Sequence, residues 1–273
     1  MTSNGQRPTI MLTNDDGINS PGLIASIQAL MGLGELLVVA PASQQSSTGR
    51  SFGDGPGRGA IAEVKLAVDG VDVRAYSVVG PPALVVAHAL TEIATKQPSL
   101  CVSGINLGEN LGRDVQGSGT VGAAFEAEAY GVPAMAISLA ISQSIQQGSD
   151  FSGVEWNVAR YVTRRVARRV LREGLPSRAT LLNINVPTHP STPLRWRVTR
   201  QSAKRYYRAV SPGSRNWLQG YELNWTVLED LDEVEHDSDI WAVVHDGVVS
   251  VTPMTWDQTA WSEWDSEEFI EGE

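Results

Sequence analysis

Residues Pro8–Ile18, Pro-Thr-Ile-Met-Leu-Thr-Asn-Asp-Asp-Gly-Ile, run a strand-forming stretch straight into two adjacent carboxylates and a glycine. A short, uninterrupted apolar run of this kind belongs to a strand covered on both faces, the habit of parallel sheets packed between helices. In such sheets ligands gather just beyond the carboxyl ends of the strands, which is where Asp15 and Asp16 fall. Paired carboxylates there suit a hard cation such as Mg²⁺ or Mn²⁺, which takes oxygen ligands. The same residues also make an ordinary helix-capping turn, and only the rest of the chain separates the two readings.

The next segments repeat the pattern. Ser20-Pro21 opens a helix as N-cap and first helical residue, with Leu23, Ile24, Ile27, Leu30 and Met31 at helical spacing. Leu36–Ala40 is the next buried strand, which completes one right-handed βαβ unit. A loop rich in hydroxyl and amide groups, Pro41–Ser51, and a glycine-rich one, Phe52–Gly59, come next. Val64–Val68 and Val71–Val79 about Asp69-Gly70 then give the clearest hairpin signal.

The pattern goes on to predict a helix over Ala83–Ala94, with His88 packed in the core, and a strand over Ser99–Ser103. A permissive polar loop runs from Gly104 to Thr120, and a helix of small residues spans Thr120–Tyr130. The Ser118-Gly119-Thr120 start of that helix either binds a phosphate through its free N–H groups or simply caps the helix. Strands over Ala134–Ser138 and Thr180–Val186 flank an amphipathic helix over Val154–Leu171 with arginines outside. From Pro193 the chain turns to alternating, aromatic-rich stretches that read as antiparallel hairpins, with one short helical turn over Asp239–Val244 and a strand over Val248–Pro253. The expectation is an α/β, Rossmann-like fold: a mostly parallel sheet with flanking helices (three-layer α/β/α) over 8–190 that carries the metal site. Residues 191–260 form a hairpin-rich extension suited to oligomerisation, and 261–273 an acidic tail.

Composition narrows the function. A net charge of −10 argues against long nucleic acids, which need a basic face. No apolar run approaches the ~20 residues that span a bilayer. The polar N-terminus lacks the apolar segment of a secretory signal, and Cys101, the one cysteine, makes no internal disulfide and reads as a small core residue. A cytoplasmic protein is expected. No Walker motif, C-x-x-C, H-E-x-x-H or strand-linked G-x-G-x-x-G occurs, and the last absence counts against a dinucleotide oxidoreductase.

Taken together, several strand-end motifs resemble the survival protein E (SurE) family. They are Leu12-Thr-Asn-Asp-Asp-Gly17, Val38-Val-Ala-Pro41 with a serine five residues on, Val102-Ser-Gly-Ile-Asn-Leu-Gly-Glu-Asn-Leu-Gly112 and Ser118-Gly-Thr-Val-Gly-Ala-Ala124. Gly131–Ser138, Asn183–Pro187, Val198–Gln201, Ser238-Asp239 and Val249–Pro253 extend the likeness over most of residues 8 to 259. The resemblance implies a metal-dependent 5′/3′-nucleotidase, a phosphatase of nucleoside monophosphates, in a family some of whose members also cleave short polyphosphate. It implies one divalent ion (Mg or Mn) per subunit on Asp15, Asp16, Ser46 and Asn106, with Asp15, Asp16 and Asn110 in catalysis. Asn14, Ser118, Gly119 and Thr120 fall on the phosphate side, Asn14 holding either the turn or the substrate. A homodimer or homotetramer is implied as well.

The chain departs from the family's pattern in places. Ser46 is followed by Ser47 where the family has glycine, so either serine fits the ligand role, with spacing from Pro41 favouring Ser46. Gly117 stands where a tyrosine is common, and Gly80-Pro-Pro-Ala-Leu84 replaces a stretch that usually carries a hydroxyl and a carboxylate. These changes bear on substrate preference more than on the metal.

Overall fold

The computed structural model describes residues 7–141 and 153–259. In chain order its elements are β1 (Thr9–Thr13), α1 (Pro21–Leu30), β2 (Glu35–Pro41), β3 (Ile61–Val68), β4 (Val71–Val78), α2 (Pro82–His88), β5 (Leu100–Leu107) and α3 (Gly119–Ala129). They continue with β6 (Ala134–Leu139), α4 (Asn157–Glu173), β7 (Leu181–Val186), β8 (Trp196–Val198), β9 (Tyr207–Ala209), β10 (Trp225–Val227) and β11 (Val249–Met254). One nine-stranded sheet runs β3-β4-β2-β1-β5-β6-β7-β11-β8, and β9 and β10 form a separate antiparallel ribbon.

Strands β4, β2, β1, β5, β6 and β7 are mutually parallel. The three-layer build follows from side-chain alternation along them. On β1, Ile10 and Leu12 face the core shared with Leu23 and Ile27 of α1 and Val162 and Val166 of α4. Met11 faces the opposite core, shared with Val85 and Val86 of α2 and Val121 and Ala124 of α3. Burial on both faces is why β5, β6 and β7 read as mostly apolar rather than alternating, with a few polar residues among them. Helix α1 starts as expected: Ser20 Oγ accepts from the Leu23 N–H at 3.2 Å, and Pro21 takes the first helical position. It packs without clearance on β5, since a Cβ on Gly22 would lie 1.9 Å from the Ile105 carbonyl oxygen.

The chain winds outward from β1 through β2 to β4, then crosses back to β5 and winds the other way through β6 and β7. The reversal falls between β1 and β5, and a crevice opens at the carboxyl ends of those two strands.

The structure corrects several expectations. The polar loop starts later than Gly104: β5 runs on to Leu107 because β6 offers partners to Asn106 and Leu107, past an irregularity after Ser103. Asn106 therefore sits on a strand. Helix α2 stops at His88 and loosens into a π-helical turn over Ala89–Ile93. His88 itself is partly exposed and lies 3.1 Å from Glu92 rather than in the core. Of the hairpins expected after Pro193, one exists as β9–β10. By contrast β11 enters the main sheet antiparallel to β7, and β8 pairs parallel with β11, because the apolar edge of β7 needs a cover. The acidic tail lies outside the described residues.

Candidate metal and phosphate site

The site begins with the turn after β1. Asn14 is fully buried, and its Nδ2 donates to the Gly17 carbonyl at 3.1 Å and to Ser20 Oγ at 2.6 Å. Of the two tasks open to Asn14, holding the turn is the one its contacts serve. That turn presents Asp15 and Asp16 in different directions.

Asp15 is buried against the start of α3. Its Oδ1 accepts from Thr120 Oγ1 at 2.6 Å, and its backbone carbonyl accepts from the Gln45 N–H at 2.7 Å. Gly119 has no side chain because none fits: a Cβ there would lie 2.9 Å from Asp15 Cβ and 3.0 Å from Oδ2. The positive end of α3 thus points at a carboxylate of the protein itself. Thr120, placed by resemblance on the phosphate side, is fully buried here and its hydroxyl donates to Asp15. Ser118 caps α3, its Oγ accepting from the Val121 N–H at 3.1 Å, and it also lines the main cleft.

Asp16 turns toward β5, where its Oδ2 accepts from the Leu107 N–H at 3.3 Å, next to Asn106. Asn106 Nδ2 donates to the Gly108 carbonyl at 2.7 Å, which fixes the amide so that its oxygen faces away from that contact. Asn110 is braced from neighbouring strands. Its Nδ2 donates to Ser138 Oγ at 2.8 Å, its N–H to Asn185 Oδ1 at 2.8 Å, and its carbonyl accepts from Asn183 Nδ2 and Asn185 Nδ2. Ser138, Asn183 and Asn185 carry no motif that assigns them a role, although a polar residue inside an apolar strand is itself a signal that it has a partner.

Asp15, Ser46, Ser47, Asn106, Asn110 and Ser118 line one open cleft of about 950 Å³. Asp16 lines a smaller adjoining cleft that shares Leu107 with it. Ser47 sits at φ 60, the left-handed conformation that suits the glycine expected there, and Ser46 accepts from Gln44 Nε2 at 3.0 Å. A Cβ on Gly117 would meet nothing within 4 Å, so this wall is open where a larger side chain is common. The far wall comes from the β9–β10 ribbon and includes Arg205, Tyr207, Asn224 and Trp225. The ribbon is anchored by Asp114, which accepts from the N–H groups of Tyr206 and Tyr207, and by the Tyr207 hydroxyl, which donates to Glu109 at 2.7 Å. Sequence reasoning expected hairpins here but assigned them to oligomerisation, and nothing in it placed them against the cleft.

Electrostatics favour a cation. Burial raises the Asp15 carboxyl above its usual range, against the opposing pull of the Thr120 hydroxyl and backbone N–H groups. Burial, then the Asp15 charge, pushes Asp16 up to about 7. Neither carboxylate pairs with a Lys, Arg or His among the described residues. No cluster of three or more His, Cys, Asp or Glu is present among those residues. The donors here are instead two carboxylates with neutral amide and hydroxyl oxygens, a set that fits a hard dication better than a soft one.

Fold and site together define an α/β protein with an acidic oxygen-donor cluster at the switch point of a parallel sheet. The model of the family Survival protein SurE matches residues 10–208. A "5'-nucleotidase SurE" of Archaeoglobus fulgidus is 42% identical over 258 residues, 94% of each chain, and one of Thermococcus gammatolerans is 38% identical over 92% of this chain and 91% of its own. The crystal structure of the SurE protein from Aquifex aeolicus superposes with a TM-score of 0.74 at 32% identity, covering 97% of this chain and all of that one. The chain belongs to the SurE family.

Proposed function

We propose that the chain is a divalent-metal-dependent phosphomonoesterase that hydrolyses nucleoside 5′- and 3′-monophosphates to nucleoside and phosphate. The observation that carries this reading is the cleft itself. Acidic and neutral oxygen donors from the ends of β1, β2 and β5 line it beside the start of α3, and its volume of about 950 Å³ suits a mononucleotide. The names of the relatives from Archaeoglobus fulgidus and Thermococcus gammatolerans support a nucleotidase.

Asp15, Asp16, Ser46 and Asn106 would hold one Mg²⁺ or Mn²⁺ per subunit. When bound, such an ion offsets phosphoryl charge and acidifies a water. The protein's own contribution is orientation. Thr120 and the start of α3 fix the Asp15 carboxyl through its Oδ1, and from the lining of the cleft Asp15 would orient the attacking water or accept its proton. Ser138 holds the Asn110 amide nitrogen, which leaves that side chain's oxygen and the Ser118 hydroxyl hydrogen to meet the substrate. Tyr207 and Trp225 offer aromatic surface on the nucleoside side.

Trp217 and Leu218, 86% and 96% exposed near the ribbon, support assembly as a homodimer or homotetramer. No helix among the described residues is long and apolar enough to cross a membrane. Buried, unpaired Cys101 supports a cytoplasmic setting. The test is phosphate release from a panel of mononucleotides with Mg²⁺, Mn²⁺ or chelator. Turnover of nucleoside monophosphates that chelator abolishes is expected; activity indifferent to chelator, or none on any mononucleotide, would overturn the reading.

A further inference from the structure

The loop after β2 carries Ser46, and most of its side chains face solvent. It is held at its two ends. At the first, the Gln45 N–H donates to the Asp15 carbonyl at 2.7 Å, and Thr48 Oγ1 donates to the Gln45 carbonyl at 2.8 Å. At the second, the Gly49 N–H donates to the Gly117 carbonyl at 2.9 Å. The Gly49 carbonyl oxygen lies only 2.5 Å from where a Cβ on Gly122 would stand, so the loop backbone rests directly on α3.

Arg50 closes the second end. Its Nε donates to Glu126 Oε2 at 2.6 Å, and the Glu126 side chain is 4% exposed. Its guanidinium lies 4.2 Å over the ring of Trp256, which sits 4.8 Å from the Phe125 ring. Phe125 and Glu126 belong to α3, whereas Trp256 follows β11. The segment after the last strand thus reaches back to grip the loop that presents Ser46.

We propose that Arg50, held between Glu126 and Trp256, is a positioning residue that fixes the Ser46–Gly49 turn over Asp15 and Asn106, so that the segment after β11 sets how tightly the site takes its dication. The proposal rests on the reading of Asp15, Asp16, Ser46 and Asn106 as a metal site. Two physical points carry it. Ser47 is a non-glycine residue at φ 60, a conformation that persists only where the flanking chain is held. A buried Glu126 requires a cation beside it, and a guanidinium alone can pair with that carboxylate and lie flat on an indole at once. Arg50 itself stays outside the cleft lining, so it acts through the loop.

The test uses Trp256→Leu, which keeps an apolar contact with Phe125 but removes the ring beneath the guanidinium, and Trp256→Phe, which keeps an aromatic face. Hydrogen exchange at the Gly49 amide is measured without metal, and the Mn²⁺ dissociation constant is measured by electron paramagnetic resonance without nucleotide. Trp256→Leu is expected to speed Gly49 exchange and weaken Mn²⁺ binding by about threefold to tenfold. Excess Mn²⁺ should restore kcat, and Trp256→Phe should recover most of both properties. Unchanged Mn²⁺ affinity in Trp256→Leu, with or without faster exchange, overturns the clamp and leaves the metal site standing. Wild-type protein that binds no Mn²⁺ overturns the site reading and the clamp with it.

Discussion

Replacing Asp16 by asparagine should make the metal-free protein more stable at pH 8, not less. The substitution keeps shape and an acceptor oxygen for the Leu107 N–H while removing one of two adjacent buried negative charges. In the folded chain the Asp16 carboxyl is pushed from 3.8 to about 7. At about 1.4 kcal/mol per tenfold change in acidity, that displacement corresponds to roughly 4 kcal/mol. It is an upper figure, because the carboxyl borders an open cleft. The sign follows from proton counting. A carboxyl whose folded value lies above its unfolded one binds more protons when folded, so stability falls as pH rises from about 4 to 7 and the full penalty stands above that.

The assay is thermal unfolding of wild type and Asp16→Asn at pH 5 and pH 8, in chelator and in millimolar Mn²⁺. In chelator at pH 8 the variant should melt higher by up to roughly 8–16 °C, taking about 2–4 °C per kcal/mol for a chain of this size. At pH 5 the gap should narrow. Mn²⁺ should then close most of that gap at pH 8, since a ligand present at a hundred times its dissociation constant adds about 2.7 kcal/mol to wild type. A variant no more stable than wild type at pH 8 in chelator would refute the reasoning, since the paired charges would then carry no cost for a cation to relieve.

Other substitutions probe the support around the pair. Thr120→Val deletes the 2.6 Å bond to Asp15 and should cost about 1.5–3 kcal/mol at pH 8 by denaturant unfolding, together with weaker Mn²⁺ binding by titration. Gly119→Ala places a Cβ 2.9 Å from Asp15 Cβ; far-ultraviolet circular dichroism should stay native while phosphate release falls by at least about tenfold. Gly22→Ala sets a Cβ 1.9 Å from the Ile105 carbonyl, so α1 must lift from β5 at a cost of about 1–3 kcal/mol, read as a lower unfolding midpoint. Asn185→Leu removes two braces from the Asn110 backbone, and turnover at saturating Mn²⁺ should drop while Mn²⁺ affinity holds.

What the sequence disclosed, and what it withheld, divides along the range of the forces involved. The order of strands and helices was legible because a strand buried on both faces has to be mostly apolar, as the starts of β5, β6 and β7 and the middle of β1 are. The Asp15–Asp16 turn was legible because charge directly after such a strand has nowhere to go but a strand end. The partner of each group was not legible, since a hydroxyl in the first turn of a helix looks the same whether it faces a ligand or, as with Thr120, bonds a carboxylate. Pairing beyond β7 was not legible for a related reason: β8 is three residues long, too short to declare a partner, and only the uncovered edge of β7 decides that β11 goes there.

Trp256 is the extreme case. A single aromatic residue after the final strand has no period to mark it, and its place over Arg50 depends on where β11 ends and how α3 lies. Even so, a physical rule could have flagged its neighbour. Glu126 falls on the α3 face that small residues crowd against the sheet, and a carboxylate placed there must be met by a cation from another segment. Arg50 is the residue of the Ser46 loop able to supply it, so the buried acid on the helix, more than any feature of the loop, determines how the loop is held.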